Sequence, residues 1–172
     1  MASDDVDFSI QPSMTLTRIR TWFILSFFVG ASINSQSFEG WQALSIKPPV
    51  SLLLETGRDV ELVLTLNIKP GYHINSNQPE EDYLIPTSLN WQSPSLPLKS
   101  INYPIGELVT YSFSSEPLSV YSGKVQVVST FHVPETLQKK PGALLGSLLY
   151  QACNNTACFP PKTISVTVPL VH

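Results

Sequence analysis

A chain of 172 residues is long enough for one ordinary domain and too short for two sizeable ones. Hydrophobic residues make up 42% of it, which excludes global disorder. Only 13% are charged, the formal net charge is -3 and Lys139-Lys140 is the sole basic cluster, so no nucleic-acid partner is expected.

The first segment reads as an export signal. In "TRIRTWFILSFFVGASINSQS", Arg18 and Arg20 precede an apolar run from Trp22 to Ala31, and small and polar residues follow. The run is roughly ten residues, half of the about twenty that a membrane-spanning helix needs. We expect residues 1–37 to be a signal region, with Met14 the more ordinary start and residues 1–13 an over-extended beginning. The domain then runs over 38–172. It is expected to be soluble, in an oxidising compartment outside the cytoplasm, the periplasm.

Beyond the signal the period is two. In "DVELVLTLNI", Val60, Leu62, Leu64, Leu66 and Ile68 share one face, while Glu61, Thr65 and Asn67 share the other. "KPGY" is a turn and "YHIN" a short continuation. "YLIPTSLNW" is a strand kinked or confined to an edge by Pro86. "QSPSLPLKS" reads as a loop. "GKVQVVSTFHV" turns Val125, Val127, Phe131 and Val133 inward, and "PETLQKKPG" is a second loop. "ALLGSLLYQAC" is apolar throughout; its setting between strands and Gly146 within it favour strand over helix. "TISVTVPL" closes the chain with Ile164, Val166, Val168 and Leu170 on one face. Fifteen prolines exclude a helical bundle, and turn-rich spacers between short strands predict an all-β, immunoglobulin-like antiparallel β-sandwich.

The chain's two cysteines, Cys153 and Cys158, stand together in "YQACNNTACFPPKTISVTVPL". Asn154 and Asn155 are turn formers, so the pair can reach disulfide geometry, with Cα atoms about 5.5–6 Å apart. Two readings stand side by side. One is a structural staple, although closing so short a loop contributes only about 2 kcal/mol. The other is a redox centre that opens and closes.

The motif around the pair resembles the amino-terminal periplasmic domain of the thiol–disulfide interchange protein DsbD, in the variants labelled disulfide-bond corrector domains. "YQAC", a second cysteine, an aromatic residue, two prolines and a terminal alternating strand carry the resemblance. "KPGYHINSNQPEEDYLIPTSLNW" supports it upstream, so it spans roughly Trp41 to Leu170. The resemblance implies an immunoglobulin-like fold with a redox-active pair. Such a domain takes electrons from a membrane-embedded donor and passes them to thioredoxin-like proteins of the periplasm. By motif, Cys158 forms the mixed disulfide and Cys153 resolves it. An aromatic cap is implied in "TYSFSSEPLSVYSG", with Phe113 or Tyr111 as the capping ring. Better-known members have five residues between the cysteines, and this chain has four. DsbD itself continues into membrane and thioredoxin-like domains, so we expect a stand-alone version or one with a separate membrane partner.

Nothing cationic flanks the pair more closely than Lys162, so no strongly acidified thiol is expected from the sequence. His73 and Asn75 are candidates for lining it; for His73 the plainer expectation is an exposed strand end. Tyr72 and Tyr150 are expected to pack, and Glu80-Glu81-Asp82 to be a solvated loop. His73, His132 and His172 lack zinc-ligand spacing, so neither metal nor cofactor is expected. "NNT" at Asn154 is a formal glycosylation sequon without expected use. The competing function is a non-enzymatic immunoglobulin-like binding module whose bridge is purely structural.

Overall fold

The computed structural model describes residues 43–137 and 141–172. The signal region and the proposed domain start at Phe38 lie outside the described residues. Among the described residues the regular elements are strands: β1 (Leu44–Lys47), β2 (Leu52–Leu53), β3 (Asp59–Ile68), β4 (His73–Asn75), β5 (Ser88–Gln92), β6 (Leu98–Asn102), β7 (Glu107–Val109), β8 (Leu118–Tyr121), β9 (Lys124–His132), β10 (Ala143–Tyr150), β11 (Ala152–Cys153) and β12 (Lys162–Val171).

They form three four-stranded sheets, ordered β1-β3-β9-β6, β2-β12-β10-β5 and β11-β4-β8-β7. The arrangement is an all-β, immunoglobulin-like sandwich. Its pairings are antiparallel except one: β2 runs parallel to β12, pairing Leu52 with Leu170, which departs from the purely antiparallel expectation.

Alternation places the core. On β3, Leu62, Leu64, Leu66 and Ile68 are buried, and on β9 so are Val125, Val127 and Phe131. The β3–β9 register sets Leu64 opposite Val127 and Leu66 opposite Val125, so both strands turn one apolar face the same way. From the second sheet come Leu144, Leu148, Val166, Val168 and Leu170. Each such side chain contributes about 1.5–3 kcal/mol on burial. Ile164 is only half-buried, near the end of the β12 stripe. Tyr150 is buried in this core, as expected, and half-buried Tyr72 packs against it.

Pairing with β12 on one side and β5 on the other settles the strand reading of β10, and Gly146 has a place in it. Gly146 lies opposite Trp91 on β5, and a Cβ there would clash with the indole. The absent side chain lets Trp91 lie across the strand, stand edge-on to Phe131 at 5.9 Å, and donate from Nε1 to the buried Ser129 hydroxyl at 2.8 Å.

Two expectations fail here. Residues 98–100 of "QSPSLPLKS" are not loop but the start of β6, which pairs with β9 across a register shift between Leu98 and Ser100. This bulged edge strand is largely exposed, so it has no inward stripe to advertise itself. The strand expected in "YLIPTSLNW" shortens to Ser88–Gln92, two residues beyond Pro86.

Candidate functional site: the cysteine hairpin and the aromatic cover of His73

The site begins where one strand changes sheets. β10 ends at buried Tyr150 in the second sheet, and after Gln151 the chain joins the third sheet as β11, pairing with β4. It then turns back on itself. The Phe159 N–H donates to the Ala152 carbonyl at 2.8 Å, and the Asn154 N–H donates to the Ala157 carbonyl at 2.9 Å. Between these bonds Cys153 and Cys158 face each other as an isolated antiparallel bridge and are joined by a disulfide. Their Cα atoms are 3.9 Å apart, closer than the 5.5–6 Å expected from the sequence. The reason is direct opposition at a non-hydrogen-bonded position, where antiparallel strands approach most closely.

Asn154 builds the turn. Its Oδ1 accepts from the Thr156 N–H, the Thr156 hydroxyl and the Ala157 N–H, each at 2.9 Å. The sequon asparagine is therefore an Asx-turn residue that shapes the loop between the sulfurs. The two sulfurs differ in access. Cys153 is wholly buried, whereas Cys158 is partly exposed.

The face of β4 and β11 that carries Cys153 is polar. Register sets His73 opposite Cys153, and one step of two residues along, the Asn75 N–H donates to the Gln151 carbonyl at 3.3 Å. His73, Cys153, Asn75 and Gln151 thus share one side of the sheet. Asn75 Nδ2 donates to Gln151 Oε1 and to the Ile85 carbonyl, both at 3.0 Å. Gln151 Oε1 also accepts from the Ile85 N–H at 3.2 Å, and its Nε2 donates to the Phe159 carbonyl at 3.2 Å. Gln151 so ties β4, the segment before β5 and the return limb of the cysteine hairpin together. Its role was not legible in "YQAC". The available hint was a long polar side chain between Tyr150 and Ala152, both core residues.

His73 is not the exposed strand-end residue expected: it is 3% exposed. Desolvation pushes its imidazole down to about 4, so the ring is neutral near pH 7. Its Nε2 and the Oδ1 of Asn75 are buried on this face without a hydrogen-bond partner.

The aromatic cover of His73 comes from residues 111–113. The Tyr111 ring stacks on His73 with centroids 4.0 Å apart, and Phe113 stacks on Tyr111 at 5.5 Å. Burial, with Glu107 adding to it, raises the Tyr111 hydroxyl above its ordinary value. The Ser114 N–H donates to the Tyr111 carbonyl at 3.1 Å, closing a turn, and the Ser112 hydroxyl donates to the Asn155 carbonyl at 2.9 Å. That last bond reaches from the cover to the cysteine turn. Residues 118–121 of the segment expected as a cap are instead the buried strand β8, whose Leu118 and Val120 form a small cluster with Leu84 that Tyr111 packs against. The structure therefore brings Cys153, Cys158, His73, Asn75, Tyr111 and Phe113 into one neighbourhood. Among the described residues no group of His, Cys, Asp and Glu is arranged to hold a metal, and no helix is long and apolar enough to cross a membrane.

A family model described as the N-terminal part of the thiol:disulfide interchange protein DsbD matches residues 44–170. The chain belongs to the DsbD N-terminal domain family. Among solved structures, the N-terminal periplasmic domain of ScsB from Proteus mirabilis is similar, with a TM-score of 0.54 and 14% identity over 74% of this chain. The chain spans 47% of that solved chain. Weaker likenesses, with TM-scores of 0.37 and 0.39, are to a yeast GAE domain (12% identity, 74% of this chain and 93% of that one) and to the major subunit of the type I aggregative adherence fimbriae of Escherichia coli (10%, 74% and 94%). No curated protein sequence matches the chain. Membership of the DsbD N-terminal family, together with the disulfide between Cys153 and Cys158, supports a thiol–disulfide exchange domain.

Proposed function

We propose that this domain, from about Phe38 to His172, is exported to the periplasm and carries reducing equivalents from a membrane-embedded thiol–disulfide donor to thioredoxin-like proteins. Export is read from the Arg18–Ala31 segment and partners from the family. The observation that carries the division of labour is the difference in access between the sulfurs: Cys153 is buried and Cys158 partly exposed. Cys158 is the sulfur that meets the partner, and Cys153 is the resolving sulfur.

The exchange runs in two displacements. The Cys158 thiolate attacks one sulfur of the partner's disulfide, and the partner's other sulfur leaves as a thiolate. Cys153, once deprotonated, attacks the Cys158 sulfur, re-forms the internal disulfide and releases the partner's second sulfur. Two electrons pass to the partner, and the Cys158 and Cys153 protons supply its two thiols. To admit a partner to Cys158, Ser112 moves off the hairpin turn, where an exposed hydrogen bond to the Asn155 carbonyl holds it, while Tyr111 stays on His73 and the Leu84–Leu118–Val120 cluster.

Replacing the resolving sulfur tests this. Cys153→Ser is expected to accumulate a mixed disulfide through Cys158 with a thioredoxin-like protein, reversed by dithiothreitol, while Cys158→Ser accumulates none. If neither variant traps a partner and the bridge resists glutathione, the domain is a binding module with a structural bridge.

A further inference from the structure

We infer that Nε2 of His73 is the hydrogen-bond partner of the Cys153 sulfur in the reduced domain, a contact that the disulfide form lacks. The inference rests on the exchange reading, since it concerns the state in which the pair is open.

Three observations carry it. His73 and Cys153 are direct cross-strand partners on β4 and β11, so their side chains stand side by side on one face. Nε2 is buried with no partner, although buried polar atoms are ordinarily satisfied. The ring is also held in place, because Tyr111 stacks flat upon it at 4.0 Å and keeps it from turning out to water.

The chemistry of the sulfur supplies the missing partner. In the disulfide, the Cys153 sulfur has no proton to donate and is a poor acceptor. Reduction by an external dithiol breaks the Cys153–Cys158 bond, oxidises that dithiol to its disulfide and leaves its two protons on the two protein sulfurs. The Cys153 sulfur is then a thiol, or after losing its proton a thiolate. At a wholly buried position, water cannot solvate it. A neutral imidazole offers one N–H and one lone pair, so it can meet the thiolate as a donor or the thiol as an acceptor. Asn75 Oδ1, also without a partner, is less free to adjust, because Nδ2 of the same amide is anchored to Ile85 and Gln151. The contact favours the reduced pair over the oxidised one, and it steadies the sulfur that must later attack Cys158.

The test is the equilibrium of the whole chain with reduced and oxidised glutathione, for the natural sequence, His73→Phe and His73→Gln. Phenylalanine preserves the stack on Tyr111 and removes the nitrogen. The reduced-to-oxidised ratio at a given glutathione poise is expected to fall about tenfold in His73→Phe, a shift of about 30 mV to more negative potential, and to recover in His73→Gln. A purely structural role would lower the stability of both redox forms alike and leave the ratio where it was, so an unchanged ratio overturns the inference. Should His73→Phe fail to fold, the natural chain still decides. The 15N resonance of His73 Nε2 is expected to shift on reduction, and an unmoved resonance refutes the contact. Neither readout uses a partner protein, so loss of trapping by Cys153→Ser would leave this inference standing, and an unaltered ratio would leave trapping untouched.

Discussion

His73 and Gln151 show how single residues answer to their surroundings. Burial holds the folded His73 imidazole at about 4, while the unfolded chain takes up its proton near 6.5. Between these values the unfolded state binds more protons, so the His73 contribution to stability is complete above pH 6.5 and is lost as pH falls towards 4. We expect the urea midpoint to fall more steeply over that window in the natural chain than in His73→Phe, and an NMR titration of the ring to show a midpoint far below the ordinary one. Gln151 makes three side-chain hydrogen bonds, to Asn75, Ile85 and Phe159. Gln151→Leu leaves the Ile85 N–H and the Phe159 carbonyl without that partner, which should cost about 2–3 kcal/mol in urea unfolding. It should also loosen the return limb that carries Cys158, seen as faster amide exchange at Phe159. Neither residue's role could be read from the chain. A histidine after "GY" is exposed or buried according to what covers it, and the cover comes from residues 111–113.

At the scale of the element, strands with a strict two-residue period were the legible ones. β3, β9 and β12 bury the stripes that their sequences display, with Val60 and Ile164 only half-buried where the stripes of β3 and β12 begin. Short and edge strands were not. β1, β2, β7 and β8 escape a period-based reading because two to four residues carry too little alternation, and β6 is broken by a bulge. β10 is apolar enough to be read either way, and its Gly146 has a specific reason. Because Trp91 fills the space that a Cβ would take, Gly146→Ala is expected to destabilise the domain by about 1–3 kcal/mol. The displaced indole should also lose its bond to Ser129, which a changed near-ultraviolet circular dichroism of the tryptophan band would report.

For the whole molecule, the question is whether the disulfide holds the fold. The core is formed mainly by the long strands β3, β9, β10 and β12, with Ala152 of the hairpin inside it and Phe159 packed against it, and the Cys153–Cys158 bridge closes a sequence separation of 5. Chain entropy assigns so small a loop about 2 kcal/mol. The turn has its own support from Asn154, and the Ala152–Phe159 bond closes the hairpin without the sulfurs. We therefore expect the reduced domain to remain folded, with far-ultraviolet circular dichroism unchanged and an unfolding free energy lower by about 2 kcal/mol. Collapse of the sandwich on reduction would mean that the bridge is a staple.

The chain by itself determined the β class, the stripes that face the core and the pairing of its two cysteines. These follow from local facts: a two-residue period, turn formers at Asn154 and Asn155, and two cysteines in one loop. Tertiary structure alone decided which sulfur is buried, that β10 hands the chain to another sheet at Gln151, and that His73 is buried under the ring of Tyr111. Those features depend on register between strands distant in sequence, such as Cys153 against His73, and on contacts from a loop that is itself distant in sequence, such as Tyr111 on His73. Side-chain periodicity tells which way a residue points along its own strand, and carries no information about what the fold brings to meet it.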